Sequence, residues 1–354
     1  MIDEPAPPRR SLRIAYLLAS TELSGGVRVA LLQAEALARR GHRVTAVATQ
    51  PAPDWFPLMR ARFERSSFRD SASLAEADVR VAASWTTIAA ALDGARGRVF
   101  HLSQGDEGQF LCERDRWPEI EAAYRLPAGK LAVSETLRAL LESRGLGPVA
   151  NVGQIFDLAA HTPGPPRPAS DPPVILLVGP ADVDRKGVAV ALDGLAVWRR
   201  RGGSFRLRRV ATAPPTPAEL ARGLTDEYHH RLVPDRMPFA YRAADVFIGP
   251  SRAEDAFGLS ALESLACGVP SLLSDTPGHR ELAGDAAWYF ADGDPESLAA
   301  SLPALLEAPA RARAREAGPR EASRCDPERA AQRLEAVFLD PAGTARPEAQ
   351  RLQA

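Results

Sequence analysis

The chain has 354 residues, a formal net charge of −1, 45% hydrophobic residues and 25% charged residues. This length suffices for two domains of ordinary size, and the composition is that of a globular protein that buries a core. A net charge so close to zero argues against nucleic acid as the main partner, because counterion release needs a basic surface. Three cysteines without metal-ligand spacing argue against a disulfide framework and fit a reducing, cytoplasmic location.

The N-terminal segment predicts a βαβ unit. An apolar run at 12–19 has the length of a buried strand and is followed by Gly25-Gly26 and by apolar residues at helical spacing up to Gly41. The next strand is predicted at 43–49. The first apolar run is too short for the hydrophobic part of a signal peptide and far too short to span a membrane.

The strand and helix alternation continues, stops and restarts. Further strands are predicted at 78–84, 98–104 and 130–135, after which the proline-rich segment 161–173 lacks apolar periodicity and indicates a linker. Beyond the linker, the strand pattern returns in five segments. These lie at 174–180, 205–211, 244–251, 269–275 and 286–291. We therefore predict the α/β class, with two Rossmann-like domains facing each other across a ligand-binding cleft.

The end of the chain predicts two helices and a tail. Residues 309–322 are rich in Arg, Glu and Ala and are expected to form a solvated helix, whereas 326–338 is amphipathic, with Asp326 as N-cap and Pro327 at the first helical position. The predicted divisions are residues 1–165, 166–325 and 326–354, the last being a helix and a polar tail.

The segment 251–270 places two carboxylates, Asp255 and Glu263, on either side of a helix start near Leu259. The amino end of a helix binds phosphate because several backbone N–H groups there lack partners and the helix dipole is positive. Gly258 lets the backbone approach a ligand closely. Carboxylates on each side of a phosphate site accept hydrogen bonds from hydroxyl groups, which is the pattern that a sugar nucleotide offers.

The string PSRAEDAFGLSALESLACGVP, residues 250–270, resembles the signature of the retaining glycosyltransferases of family 4, which have the GT-B fold. The resemblance implies that Glu263 binds the nucleotide ribose and that Asp255 contacts the donor sugar. It also implies that the amides of the turn Phe257, Gly258 and Leu259 hold the donor. This chain departs from the family at Asp255, where relatives usually carry a glutamate.

The resemblance extends to two loops that follow strands. The loop at 179–187 matches a phosphate loop, in which Lys186 takes the position of the family's lysine. Pro180 stands where relatives carry an arginine, so Arg185 is the candidate to replace it. Gly25-Gly26 matches the first loop of the family, whose backbone amides approach the donor diphosphate or the reacting centre.

For the remaining candidate site residues, the resemblance indicates a region of the chain and not one exact position. Relatives place a histidine that contacts the donor sugar near the end of the strand at 98–104, where both His101 and Gln104 are candidates and the alignment is left open. Asp106 and Glu107 are candidate acceptor contacts, because acceptors bind the N-terminal domain of this fold. Glu281 lies in a loop where relatives carry a glutamate near the nucleotide.

The implied activity is transfer of a sugar, with retention, from a nucleotide-diphosphate sugar to an acceptor hydroxyl of a polysaccharide, glycolipid or small molecule. Asp255, Lys186 and Arg185 are the candidate catalytic residues. No cofactor and no metal are expected, since the Asp-x-Asp pattern at 182–184 lies in the phosphate loop. The C-terminal helix is expected to pack back toward the N-terminal domain.

Two other functions remain open from the sequence: a sugar-nucleotide-binding subunit that has lost catalysis, and a sugar-nucleotide epimerase of the same fold. The segment 57–69, which mixes Arg with Leu, Met and Phe, is either a contact with an anionic membrane surface or an ordinary part of the N-terminal domain.

Overall fold

The computed structural model describes residues 10–253 and 258–340. A seven-stranded parallel sheet forms the N-terminal half, in the order β3-β2-β1-β4-β5-β6-β7. Its strands are β1 Arg13–Leu17, β2 Arg43–Ala48, β3 Arg62–Arg65, β4 Val79–Ala82, β5 Arg98–Ser103, β6 Gly129–Ala132 and β7 Val149–Asn151. The central strand β1 is apolar and buried because it pairs on both sides, Ile14 lying opposite Val44 and Val79.

A six-stranded parallel sheet forms the C-terminal half, in the order β10-β9-β8-β11-β12-β13. Its strands are β8 Val174–Val178, β9 Arg206–Ala211, β10 Thr225–His230, β11 Val246–Gly249, β12 Ser271–Ser274 and β13 Trp288–Phe290. The strand order reverses direction between β8 and β11. In an open parallel sheet, the ligand crevice lies outside the carboxyl ends of the strands at this point.

Helices cover both sheets. They are α1 Gly25–Arg39, α2 Ala72–Ala75, α3 Ile88–Leu92, α4 Trp117–Tyr124, α5 Glu135–Ser143, α6 Val188–Arg200, α7 Pro217–Ala221, α8 Met237–Arg242, α9 Leu259–Ala266, α10 Pro277–Ala283, α11 Pro295–Leu306, α12 Ala308–Ala322 and α13 Pro327–Leu339. The two α/β halves and most strand positions therefore agree with the sequence prediction. Among the described helices, none is long and apolar enough to cross a bilayer.

The chain passes twice between the halves. After β7 it enters the C-terminal half, and after α12 it returns, where the amide of Phe156 donates to the carbonyl of Cys325 at 3.0 Å. Helix α13 then joins the core of the N-terminal half through Leu334 and Phe338, the second of which packs against Phe100. We therefore use N-terminal domain for β1–β7 with α1–α5 and α13, and C-terminal domain for β8–β13 with α6–α12.

Helix α12 differs from the solvated helix that its composition suggests. Ala310, Ala314, Gly318 and Ala322 form a buried stripe of small residues at a spacing of four, and this stripe packs on α9. A Cβ at Gly318 would lie 2.5 Å from the carbonyl oxygen of Leu265, so the two helices approach closely. Small residues on one face thus bury a helix that is polar in composition.

Candidate functional site

The turn that begins α9 lies at the carboxyl end of β11. Gly258 has φ +67° and precedes the helix, and a Cβ there would lie 2.9 Å from Nε2 of His279. A side chain at this position is thus excluded both by backbone conformation and by space. The candidates Asp255 and Phe257 lie outside the described residues, so their assigned contacts with the donor stay predictions.

Glu263 lies buried in α9 and its carboxylate is held from both domains. Tyr241 Oη of α8 donates to its Oε2 at 2.7 Å, and Arg28 of the N-terminal domain pairs with its Oε1 at 2.5 Å. His161 Nε2 lies 3.7 Å from the same Oε1. Sequence reasoning identified Glu263 but none of these three partners, because each comes from a segment distant in sequence and carries no motif of its own.

The glycine pair of the first loop meets the start of α9 across the cleft. Ser24 caps α1 by accepting from the amide of Val27, and Gly25 and Gly26 form the exposed first turn. A Cβ at Gly25 would lie 2.9 Å from Leu259 Cδ1. The amino ends of α1 and α9 therefore face each other, which concentrates positive helix-dipole ends and backbone N–H groups at one place.

Gln104 joins this group from the end of β5. Its side-chain amide donates to the carbonyl of Gly26 at 3.0 Å, and the side chain is half-buried. The structure thus places Gln104, rather than His101, beside the glycine pair. The two candidates are separated because His101 lies inside the strand, fully buried.

The phosphate-loop candidate forms a 3-10 turn, Asp184–Lys186, between β8 and α6. The stem of Lys186 packs on Gly179, where a Cβ would lie 3.6 Å from both Cβ and Cγ of the lysine. The amide of Arg252 donates to the carbonyl of Arg185 at 2.8 Å, which fixes the loop beside the segment that leads into the α9 turn. Lys186 and the start of α9 therefore lie at the same end of the C-terminal sheet.

Arg185 reaches across the cleft. Its guanidinium lies 4.3 Å from the ring centroid of Phe110 in the N-terminal domain, a cation–π contact. The end of β8 is secured by a different arginine, the fully buried Arg209, which donates to the carbonyls of Leu177 and Gly179 and pairs with Glu219. Replacement of the family's arginine by Arg185 therefore stays a prediction.

Gly187 fixes how the phosphate loop enters α6, and its substitution by alanine is expected to lower the free energy of unfolding. Its φ is +60°, and a Cβ would lie 1.9 Å from the carbonyl oxygen of Pro250, so the backbone must shift. We expect Gly187→Ala to cost about 3 kcal/mol by combined strain and overpacking. Gly202→Ala is the matched control, because Gly202 has φ +90° with open space around it. Equal losses in urea unfolding would contradict the steric argument.

Glu281 makes an interdomain contact. Its two carboxylate oxygens accept hydrogen bonds from the amides of Glu135 and Thr136, each at 2.7 Å, at the amino end of α5. A carboxylate is favoured there by the unpaired N–H groups and the helix dipole. The nucleotide contact expected from the sequence stays a prediction, and in this structure the residue links α10 to the N-terminal domain.

One of the two acceptor candidates, Glu107, is partly buried and lies beside the fully buried His101 in the N-terminal domain. Glu107 accepts from Tyr124 Oη at 3.1 Å and lies 4.0 Å from Nε2 of His101. Burial raises the pKa of Glu107 to about 7, and burial, with the Lys130 cation, lowers the pKa of His101 well below its ordinary value. The acid and the imidazole thus hold their uncharged forms over an unusually wide pH range.

Asp106, the other acceptor candidate, is almost fully buried and forms an ion pair with Arg144. Gln109 donates to the same carboxylate at 3.0 Å. These partners come from the N-terminal domain itself and hold the loop after β5 in shape. A contact with an acceptor stays a prediction for both Asp106 and Glu107.

The raised pKa of Glu107 has a consequence for stability. A carboxyl whose pKa is near 7 in the folded state and about 4.5 when unfolded binds more protons in the folded state between those values, so its contribution to stability falls as pH rises through this window. Glu107→Gln removes this loss. We expect the melting temperature of the variant minus that of the wild type to be more positive at pH 8 than at pH 5. Glu119→Gln, at an exposed position, is the control, and a difference independent of pH would contradict the burial argument.

Among residues 10–253 and 258–340, no three His, Cys, Asp or Glu side chains are grouped in a way that could hold a metal ion. The expectation of metal independence stays a prediction. The structure brings together Gly25, Gly26, Gln104, Gly258, Leu259 and Glu263, with the Lys186 loop fixed to the strand end beside them. Glu281, Asp106, Glu107 and His101 lie in other clusters.

Sequence comparison shows what the C-terminal domain is similar to. Residues 172–308 match the family model described as Glycosyl transferases group 1. A D-inositol 3-phosphate glycosyltransferase of Kineococcus radiotolerans is 33% identical over 59% of this chain and 55% of its own length. A GDP-mannose-dependent phosphatidylinositol dimannoside mannosyltransferase of Mycobacterium tuberculosis is 35% identical over 35% of this chain and 33% of its own length. The chain thus spans about half or less of these relatives.

Solved structures share the whole fold. A sucrose-phosphate synthase of Thermosynechococcus elongatus aligns with a TM-score of 0.71 and 19% identity, covering 92% of this chain and 98% of that one. Anabaena HepE in complex with UDP-glucose aligns with a TM-score of 0.70 and 17% identity, covering 91% and 97%. The predicted GT-B fold and the resemblance to the family are confirmed.

Proposed function

Since residues 172–308 carry the domain of the group 1 glycosyl transferases, we propose that the chain transfers a sugar, with retention, from a nucleotide-diphosphate sugar to an acceptor hydroxyl. The observation that carries the proposal is the meeting of two helix amino ends across the cleft, where Gly25 of α1 lies against Leu259 of α9. A diphosphate carries the charge that this arrangement favours. The Lys186 loop supplies a cation at the same end of the sheet.

Different elements of the C-terminal domain are assigned to different parts of the donor. In the proposal, the diphosphate lies at the amino end of α9 with Lys186 neutralising its charge, and Glu263 accepts hydrogen bonds from the ribose hydroxyls. Asp255, on the other side of the turn, contacts the sugar. Gly258 and Gly187 keep the backbone close to these positions because side chains are excluded there.

The chemical step rests on the leaving group. Breaking the bond between the anomeric carbon and the diphosphate oxygen places negative charge on the diphosphate, and Lys186, Arg185 and the helix amides stabilise that charge. The acceptor hydroxyl attacks from the same face, and the departing phosphate oxygen accepts its proton. Closure of the domains excludes water, which would otherwise hydrolyse the donor.

The acceptor is proposed to bind the N-terminal domain. The protein is proposed to act in the cytoplasm, and to contact a membrane surface if the acceptor is a lipid. Two of the relatives are named for inositol 3-phosphate and for phosphatidylinositol dimannoside. Inositol phosphates and phosphatidylinositol glycolipids are therefore the first acceptors to test. For the donor, the relatives and structural neighbours are named for GDP-mannose and UDP-glucose, so both bases belong in the screen.

The proposal is tested in two steps. Thermal shift against UDP, GDP, ADP and their sugars identifies the nucleotide, because specific binding raises the melting temperature by mass action. Proton NMR of the product formed from the identified donor then reports the anomeric configuration, and we expect it to be retained. Binding without transfer or donor hydrolysis would favour a non-catalytic subunit. Interconversion of the donor sugar without acceptor would favour an epimerase.

A further inference from the structure

The carboxylate assigned to the ribose is already occupied by the protein. Arg28 pairs with Oε1 of Glu263 at 2.5 Å, and Tyr241 donates to Oε2 at 2.7 Å. Ribose hydroxyl groups need to donate to these same oxygens. Because Tyr241 lies in the C-terminal domain with Glu263 and Arg28 lies in the N-terminal domain, Arg28 is the partner that separation of the domains removes.

The ion pair is built into the interior of the cleft. The side chain of Glu263 is 7% exposed and that of Arg28 is 14% exposed. The guanidinium of Arg28 also lies 5.5 Å from the ring centroid of Phe156, at the first crossing between the domains. A pair so shielded from water is held more firmly than a surface salt bridge, and breaking it leaves a buried charge without its partner.

A buried imidazole, that of His161, lies next to this carboxylate. His161 Nε2 is buried 3.7 Å from Glu263 Oε1 and has no hydrogen-bond partner among the described residues, while Nδ1 lies 3.3 Å from the carbonyl of Asp157. Burial, with a smaller effect of Arg28, holds the pKa of His161 below its ordinary value, although Glu263 acts in the opposite direction. When Arg28 leaves, Glu263 therefore stays beside Nε2 of the His161 imidazole.

We propose that Arg28 competes with the nucleotide for Glu263, so that the donor binds only when Arg28 of the N-terminal domain releases this carboxylate. The inference rests on the proposed function, since it takes Glu263 as the ribose contact. Arg28 lies one turn after Gly25 in α1, and this first turn touches Leu259. If separation of the domains releases Arg28, it also moves the first turn of α1 away from α9, which links nucleotide binding to the position of the domains.

The affinity of the Arg28→Met variant for nucleoside diphosphates tests the competition. Methionine keeps an unbranched stem against Phe156 but cannot pair with the carboxylate. If the ion pair is formed in about nine of ten unliganded molecules, only about one in ten can bind nucleotide. The variant then binds UDP, GDP or ADP about tenfold more tightly than the wild type, because the apparent affinity is proportional to the fraction of molecules able to bind. Isothermal titration calorimetry gives the dissociation constants. Arg28→Gln repeats the test with a polar side chain if Arg28→Met does not fold.

The matched control is Arg231→Met. Arg231 forms an exposed ion pair with Glu22 across the same cleft, with the nitrogen and oxygen 3.6 Å apart, and does not contact Glu263. We expect its dissociation constant to stay within about twofold of the wild type, as for a surface pair. A general loosening of the domains would instead tighten binding in both variants. Loss of affinity in Arg28→Met would show that Arg28 binds the nucleotide and would overturn the proposal.

A double-mutant cycle locates the effect. In a Glu263→Gln background, whose affinity is itself lower because a ribose contact is lost, Arg28→Met is expected to leave the dissociation constant unchanged, because the carboxylate for which Arg28 competes is absent. A full gain in that background would contradict competition for Glu263. Absence of nucleotide binding in the wild type and in both Arg28 variants would instead count against the proposed function, so the two failures are distinguishable.

Discussion

Replacing Glu263 by alanine is expected to lower the affinity for the nucleoside diphosphate identified by thermal shift by about 10-fold or more. The carboxylate is assigned two hydrogen bonds to ribose, and a hydrogen bond to a charged group contributes about 1.5–3 kcal/mol, so their loss alone costs about 100-fold or more. About tenfold of this loss is offset because Arg28 no longer competes for the carboxylate. Because the assignment concerns the ribose rather than the phosphates, the affinity for inorganic pyrophosphate should change much less.

The effect of Glu263→Ala is measured by calorimetry on protein whose folding is checked by circular dichroism. Glu227→Ala is the control: this acid lies in the edge strand β10 of the same domain and pairs with Arg208. We expect it to bind as the wild type does. A folded Glu263→Ala protein with unchanged nucleotide affinity would remove Glu263 from the site, and with it the assignment of α9.

Replacing Lys186 by alanine is expected to lower kcat/KM for transfer by about 10²–10³, the usual cost of removing one preorganised group that stabilises developing charge. The charge on the diphosphate grows as the bond to the sugar breaks, so most of the loss should appear in kcat rather than in KM. Lys186→Arg should recover part of the rate, because the charge is kept while its position changes.

Two features make the Lys186 result interpretable. The side chain is only half-buried and packs its stem on Gly179, so the variant should fold normally. Arg201→Ala is the matched control, since it removes an exposed cation that pairs with Glu296 at the opposite end of α6. A kcat within about threefold of the wild type for Lys186→Ala would contradict the role of the loop as the site of charge stabilisation.

The elements of the donor side could be predicted from the sequence because each is local. A buried strand, a glycine and an amphipathic helix follow one another around both Gly187 and Gly258, and the order of residues alone sets how they fold. The strands that sequence reasoning missed include β3 and β10, which are polar: β3 has only four residues, and no residue of either strand is fully buried. Their strand conformation comes from pairing with a neighbour, which no local pattern records.

The contacts that cross the cleft could not be predicted in the same way. Arg28 and Glu263 are 235 positions apart, and Glu281 reaches Thr136 over 145 positions. Neither arginine nor glutamate on a helix signals an interdomain partner, because most such residues are solvated. His101 and Gln104 were left as alternatives for one position. The structure distinguishes the two residues, because His101 is fully buried within the strand whereas the side chain of Gln104 donates to the carbonyl of Gly26.

The double passage between domains has a practical meaning for engineering. Because α13 completes the hydrophobic interior around Phe100 and Phe338, the N-terminal domain is discontinuous in sequence, with the C-terminal domain inserted between its seventh strand and its last described helix. A chimaera that borrows the donor preference of a relative must therefore exchange an internal cassette, cut near Phe156 and Cys325, where the two crossings lie side by side. A fusion with a single junction would leave one partner without its final helix.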